Sequence, residues 1–468
     1  MRLASGIRHL LFGTLAFLLA IGLSATYWAI AGRDSLLLRA DNPRRIEALA
    51  AIQRGSIYDR NQQLLAETVT QAATLERRYY RSSTYSAIGY YSLRYGVSGA
   101  EAAYDDRLSG SPDTRSLGDF LDRHLLRLPQ MGSDIRLTID ADLQDSLAAG
   151  LGDARGAVVV LNAWSGEVLT LLSQPSFDPN TLDDDWEDLV KADGQPFFNR
   201  ALQGNYQLGG TMYTVLLAES IASRFDLSQP FPQADAPVEF EDGMTIGCFI
   251  APEATELTLI DAYAYGCPAP FQAYFLAESR FDLDALLKRF AFDRPITLGG
   301  FPQPEPIDLP GVRSADQLDD ETLALRAALG QGDLTTTPLH MAAIMAAVAT
   351  DGSIKTPYIH SATRPPGKQP WQEISLNSAS IPVFSAEAAQ ELRGVMRRTW
   401  SALQNDAGDA GAQVARSQSG EGAQIWLNGF VAKVDGAAFS FVILLEDSDD
   451  LARLLAIGQT LVEALDPH

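Results

Sequence analysis

From Leu10 to Ala31 the chain carries no charged residue (LLFGTLAFLLAIGLSATYWAIA). As a helix rising about 1.5 Å per residue, such a run covers about 30 Å, the hydrocarbon thickness of a bilayer. It is apolar all round, and a buried core helix is the weaker third reading of such a run. Tyr27 and Trp28 lie near its far end, where interfacial aromatics sit. The expectation is a transmembrane anchor over 10–31, preceded by a short basic tail, 1–9, that holds Arg2, Arg8 and His9. A cleaved signal peptide is the alternative, because Ala29-Ile30-Ala31 resembles a small-residue cleavage site. Arg33, Arg39, Arg44 and Arg45 follow the run, so basic residues flank both ends and charge alone does not orient it.

Beyond that run the chain is globular in composition, 46% hydrophobic and 20% charged. Its 36 basic against 59 acidic residues leave a net charge of −23. That excess argues against nucleic acid as a partner, since phosphates need Lys and Arg to neutralise them. It also argues against adhesion to anionic lipid through a basic surface. The histidines, His9, His124, His340, His360 and His468, show no metal-ligand spacing. Asp183 to Asp185 and Asp447 to Asp450 read as solvated loops. No metal and no cofactor is expected. Cys248 and Cys267 are the only cysteines. In an extracytoplasmic chain an even count suggests a disulfide, and two buried thiols are the alternative.

Several separated stretches carry more specific signals. Arg54 to Ala66, RGSIYDRNQQLLA, reads as a strand with a turn at Asp59-Arg60-Asn61. Asp134 to Leu151, DIRLTIDADLQDSLAAGL, reads as a strand followed by a helix with Asp140 as its N-cap. Gly156 to Ser173 reads as a hairpin of two apolar strands around Asn162 to Gly166. Thr337-Pro338 opens a helix with proline in its first turn, and Asp351-Gly352 stops it. Trp426 to Glu446 reads as a closing strand pair, and Leu451 to Leu465 as a final amphipathic helix.

Together these stretches resemble class B penicillin-binding proteins. RGSIYDRNQQLLA is similar to the RGxIxDRNGxxLA signature just outside the membrane, with Gln62 in place of the family's turn glycine. GVSGAEAAYDDRLSG (Gly96 to Gly110) resembles the next signature, GxxGxExxYDxxLxG. GQGDLTTTPLHMAAIMAAVATDG resembles GQGxLxxTPLxMAxxxAxxAxxG, and WLNGFVAKVDGAAFSFVILLE resembles WFxGFxP…xVxLE. The resemblance implies an α+β fold. A transmembrane helix and a small β-rich membrane-proximal module, 33–131 with a hinge at Ser111 to Thr114, precede a serine β-lactamase-like transpeptidase domain, 134–468. That domain is a central antiparallel sheet with helices. The resemblance also orients the anchor, tail inside and bulk outside a bacterial cytoplasmic membrane. It further implies a membrane glycan polymerase or other cell-wall synthesis protein as partner, with Arg54, Gly55, Asp59 and Arg60 of the module as contact candidates.

The family's chemistry needs three motifs. In Ser-x-x-Lys a serine attacks a D-Ala-D-Ala or β-lactam carbonyl, and a lysine one helical turn on takes its proton. Ser-x-Asn and Lys-Thr-Gly supply proton relay, charge and a strand edge. The frame of the first motif is kept in NRALQGNYQLGGTMYTV (Asn199 to Val215), but Gly210 replaces the serine and Tyr213 the lysine. Thr211, as a displaced nucleophile, has Thr214 rather than a base three residues on, and reads instead as a helix-start residue. In AYAYGCPAPF (Ala262 to Phe271) the Ser-x-Asn positions hold Gly266 and Pro268. Ser417-Gln418-Ser419-Gly420 stands for Gly-Lys-Thr-Gly, so Gln418 loses the charge. None of the five lysines has a serine three positions before it; those positions hold Asp188, Ala285, Gly352, Pro365 and Phe430. Ser375-Leu376-Asn377 falls in a polar loop away from the expected motif.

Removing one member of a coupled nucleophile–base unit can cost about 10⁶ in rate, or about 8 kcal/mol of barrier. The expectation is therefore a catalytically inactive homologue in peptidoglycan biogenesis. It would act as a partner or scaffold, or bind peptidoglycan peptides or β-lactams non-covalently. The alternatives are an active D,D-transpeptidase with an unorthodox nucleophile and a decaying duplicate without function.

Overall fold

A computed structural model describes residues 2–30, 43–71, 74–110, 130–277, 282–294, 296–304, 321–367, 369–374, 379–404, 409–419 and 422–465. Helix α1, Arg2–Ile30, covers the apolar run. Its side chains from 11 to 27 are exposed, Phe12, Phe17, Leu18 and Leu19 among them. Among the described residues no helix is long and apolar enough to cross a membrane. The expected hinge at Ser111 to Thr114 and the Ser375-Leu376-Asn377 triplet lie outside the described residues.

Past α1 come strands β1 (Ile57–Tyr58), β2 (Leu64–Gln71), β3 (Thr74–Tyr79) and β4 (Asp134–Leu137). Helix α2 (Ala141–Leu151) follows, and Asp140 Oδ1 caps it by accepting from Leu143 N at 3.2 Å. Next are β5 (Gly156–Asn162), β6 (Val168–Gln174) and helices α3 (Met212–Ala222), α4 (Leu259–Tyr265), α5 (Pro268–Ala277) and α6 (Pro338–Ala349). Strands β7 (His360–Arg364) and β8 (Gln372–Glu373) precede α7 (Ala386–Leu403). Strands β9 (Ala410–Ser419), β10 (Gly422–Ala432) and β11 (Ala438–Leu445) then lead to α8 (Leu451–Leu465).

The central sheet runs β9-β10-β11-β5-β6 and is antiparallel throughout. Its inner strands are runs of Val, Ile, Leu and Phe because both faces are covered. On one face lies α6, buried at every residue and packed on β5, β10 and β11. Thr337 starts it, its hydroxyl accepting from His340 N at 3.1 Å, with Pro338 at the first helical position. The other face carries α2 and α8, whose Leu143, Leu147, Leu151, Leu454, Ile457 and Leu461 form a second core with Val158 and Val160.

A second sheet runs β8-β7-β4-β1-β2-β3, parallel only between β1 and β4. It crosses the expected boundary between module and transpeptidase domain. A two-residue strand such as β1 cannot stand alone, and it is completed by Ile135 and Arg136 of β4 opposite Ile57 and Tyr58.

The proposed partner contacts need a correction. Arg54 is buried, with Nη2 2.8 Å from Glu101 Oε2, and Arg77 Nε lies 2.6 Å from the other oxygen of that carboxylate. A Cβ on Gly55 would lie 1.9 Å from Ser133 O, so that glycine serves a backbone crossing. Asp59 is fully buried and accepts from Gln63 N at 2.7 Å, closing the turn. Arg54 is thus tied within the module, Gly55 packs on the backbone at Ser133, and Asp59 Oδ2 also accepts from Ala141 N of the transpeptidase domain at 3.4 Å. Only Arg60 of the four is exposed.

Candidate active-site cleft

The retained frame of the first motif has structural work in every place. Asn199 Oδ1 accepts from Ala201 N and Leu202 N at 3.1 and 3.3 Å, capping a single helical turn. Arg200, fully buried, pairs through Nε with Glu446 Oε2 at 2.9 Å. The Tyr206 hydroxyl donates to the same carboxylate, which closes the β11 end of the sheet. Burial, then this anionic neighbour, drives the Tyr206 pKa well above that of an ordinary phenol. Gly209 takes φ 51°, and a Cβ there would lie 2.2 Å from Arg416 O. Gly330, from the GQG stretch, meets it from the other side, with Gly209 N donating to Gly330 O at 2.8 Å. Three backbones thus converge where only glycine fits.

Gly209 to Thr211 form a 3₁₀ turn leading into α3. Thr211 is buried and its hydroxyl donates to Leu208 O at 2.7 Å, which takes it out of contention as a nucleophile. Gly210 O accepts from Gln413 Nε2 at 2.9 Å. The Thr214 hydroxyl donates to Gln413 Oε1 at 2.8 Å, so its 2.9 Å contact with Tyr263 is one in which the phenol donates. This buried chain ties together α3, α4 and β9, the elements on or beside which the three expected motif positions fall.

Tyr213 is 3% exposed and stacks on Phe271, with ring centroids 4.4 Å apart and planes 10° from parallel. Burial raises its phenol pKa further above the ordinary value of about 10. It stands as a buried, stacked and protonated phenol at the position expected for the family's lysine.

Gly210, Tyr213 and Ser417 meet at a cleft of about 230 Å³, whose remaining described lining is Thr245 to Cys248, Gln331 and Arg416. Ser417 Oγ is engaged by Trp426 Nε1 at 3.1 Å and Gln424 Oε1 at 3.4 Å. Arg416 is held by Asp449 at 3.1 Å. Cys248 forms a disulfide with Cys267. Gln331 Oε1 is buried and has no hydrogen-bond partner among the described residues.

The second-motif positions flank Cys267 of the disulfide and are not among the described residues lining the cleft. Gly266 ends α4 in the left-handed region, φ 65°, and Pro268 opens α5. In the third motif, Gln418 and Ser419 lie in register opposite Ala423 and Gly422 on β9 and β10, and Gly420 lies outside the described residues. The sequence pointed to Cys248 as a possible disulfide partner but not to Gln331, Arg416, Thr245 to Gly247 or the Thr214–Tyr263–Gln413 chain as site features. Gln331 could have been found, because it sits inside the quoted GQG stretch. The chain could not, because its members are 49 and 199 residues apart.

The sequence profile of the penicillin-binding protein transpeptidase domain matches residues 156–463, and that of the penicillin-binding protein A dimerisation domain matches 54–133. The chain belongs to the penicillin-binding protein transpeptidase family. Its curated relatives include the peptidoglycan D,D-transpeptidase PbpA of Mycolicibacterium smegmatis, 26% identical over an alignment of 495 residues that covers 98% of this chain and 96% of the relative. The peptidoglycan D,D-transpeptidase MrdA of Acinetobacter baumannii is 29% identical over 57% of this chain and 42% of its own. Among solved structures, penicillin-binding protein A from M. tuberculosis as an imipenem acyl-enzyme complex superposes with a TM-score of 0.76 at 22% identity, covering 90% of this chain and all of that one. A D,D-transpeptidase domain from Eggerthella lenta gives 0.75, also at 22%, over 89% of this chain and 98% of that one. At that identity the superpositions establish the fold. Membership places the chain in peptidoglycan cell-wall synthesis. The described lining of the cleft carries the hydroxyls of Tyr213, Thr245 and Ser417 and the guanidinium of Arg416.

Proposed function

We propose that this chain is a non-acylating penicillin-binding protein. It is anchored in the bacterial cytoplasmic membrane by 10–31 with its main domain outside, and it serves the wall-synthesis machinery as a partner or scaffold. The observation that carries the reading is the pair Gly210 and Tyr213. The first offers no side chain to attack a carbonyl, and the second is stacked, buried and held protonated. Without a nucleophile the acyl-enzyme route is closed, however well the cleft holds its ligand. The retained residues act in packing, which supports a selected fold with lost chemistry rather than a decaying duplicate.

Fluorescent penicillin labelling of membranes that contain the full chain tests this, with an intact relative as positive control. The expected result is no adduct on a denaturing gel. A covalent adduct would establish the alternative, a D,D-transpeptidase with an unorthodox nucleophile. The partner role is tested by copurification with a membrane glycan polymerase. Because Arg54, Gly55 and Asp59 face inward, the informative variant is Arg60→Glu, which alters the exposed surface without disturbing the module. Resistance of the membrane-bound chain to alkaline carbonate extraction tests the anchor.

A second reading, non-covalent peptide binding, is supported by Gln331. Its buried, unpartnered carbonyl at the cleft is an acceptor suited to a peptide N–H. Titration with a pentapeptide ending in D-Ala-D-Ala, by calorimetry on the parent and on Gln331→Leu, tests it. Saturable binding lost in the variant supports this reading.

A further inference from the structure

We propose that the seam between the membrane-proximal module and the transpeptidase domain binds a small amphipathic organic anion, with an apolar body and a single carboxylate. A cavity of about 440 Å³ lies there, within the range of ligand pockets. The module contributes Tyr104 and Arg107, and the domain contributes Leu298, Tyr358, Ile359 and His360. The site is remote in character from the altered catalytic cleft and shares no described lining residue with it.

The walls are apolar. Leu298 and Ile359 are buried core side chains, and the Tyr104 ring lies on His360 with centroids 4.6 Å apart. His360 adds no charge. Its Nε2 is taken by Ala362 O at 3.0 Å and Thr363 Oγ1 at 3.1 Å. Burial first, then the nearby Arg107 charge, hold its pKa down at about 4. Arg107 is thus the one cation among the described lining residues, and no carboxylate stands among them. Its Nη1 donates to Thr363 Oγ1 at 2.9 Å, and it forms no ion pair with any described carboxylate. Arg54, Arg77, Arg136 and Arg364 of the same region are all paired with acids.

These features select the ligand. A neutral apolar molecule would leave the guanidinium unused, a cation would be repelled, and a polyanion would find one charge and no second. A monocarboxylate with an apolar body meets both the walls and the rim. Because it would touch residues of both the module and the domain, its binding would favour their docked arrangement by mass action.

The test uses the full chain in zwitterionic nanodiscs, with empty nanodiscs as baseline. The probe is 6-fluoro-2-naphthoate, followed by ligand-observed fluorine NMR, and the comparison compound is 6-fluoro-2-naphthamide. Saturable naphthoate binding is expected, with the amide weaker by about fivefold, the upper end for a solvent-exposed ion pair. Arg107→Ala should abolish that preference and Arg107→Lys should keep it. Arg107 is exposed, so neither change threatens the fold. Ala379→Trp, at the cavity rim, should weaken both compounds. The proposal is overturned by no saturation above empty nanodiscs, by an unchanged naphthoate preference in Arg107→Ala, or by unchanged binding in Ala379→Trp.

Discussion

A serine built at position 210 would put its Cβ 3.3 Å from Ala415 Cβ and 3.5 Å from Tyr213 Cε2. That is close packing a small shift can absorb, so Gly210→Ser should fold with a loss of about 1 kcal/mol, the low end for overpacking a core. It should still form no penicillin adduct, because burial keeps the Tyr213 phenol protonated and no lysine stands among the described residues lining the cleft. A thermal melt reads the first outcome and fluorescent penicillin the second. An adduct on this single variant would show that the cleft holds a base that the geometry does not reveal. The other exchanged position of note is Gln62, which stands where the family carries a turn glycine. It keeps the left-handed backbone of that turn, φ 63°, with its side chain exposed. A non-glycine residue in that region costs roughly 1–2 kcal/mol, part of which glycine returns to the flexible unfolded chain. Gln62→Gly should therefore raise stability by about 1 kcal/mol, seen as a higher denaturant midpoint at unchanged slope.

Among elements, the disulfide is the clearest lever. Cys248 and Cys267 are 19 residues apart and tie the cleft-wall segment 245–248 to the start of α5. Closing a loop of that length restricts the unfolded chain by about 3 kcal/mol. Cys267→Ser should lose about that much, and hydrogen exchange should quicken first in the Val238–Glu239 and Thr245–Ile246 hairpin. Unchanged exchange there would mean that packing, not the bridge, holds the wall. Several elements were legible because the determinant is local. Asp140 caps α2, Thr337 and Pro338 start α6, and β5–β6 and β10–β11 alternate with turn residues at the expected places. The site frame was legible for the same reason. The shared sheet was not, since Ile57 finds Ile135 only after the chain has folded back. Nor was the inward turn of Arg54, which depends on Glu101, 47 residues away. Charge in a signature reads as surface until its buried partner is known.

For the molecule as a whole, that shared sheet joins the module to the domain, so changes at the seam and in the core should act on one unfolding transition. Acid is the sharpest probe, because both contain a buried neutral histidine. Burial holds His340, in α6, at about 4, partly offset by its bond to Phe290 O and by the Asp293 charge. Burial and Arg107 hold His360, at the seam, at about 4 as well. Both values lie below the roughly 6.5 of an unfolded histidine. Between those values the unfolded chain binds more protons, so the stabilisation is fully present above about pH 6.5 and is lost as pH falls toward 4. Each histidine should take away roughly 3 kcal/mol over that window. Glu101 extends the loss downward. Burial raises its pKa, but Arg77, Arg54 and their hydrogen bonds outweigh burial and hold it below the ordinary carboxylate value. Its stabilisation is present above about pH 4.3 and is lost as pH falls further. Denaturant unfolding of the full chain at steps from pH 7.5 to 3.5 should show a steep decline beginning near 6.5. In His360→Gln the slope between 6.5 and 4 should drop by about half, whatever that variant's stability at neutral pH. An unaltered slope would mean that His360 titrates as an exposed imidazole and that the seam opens to water.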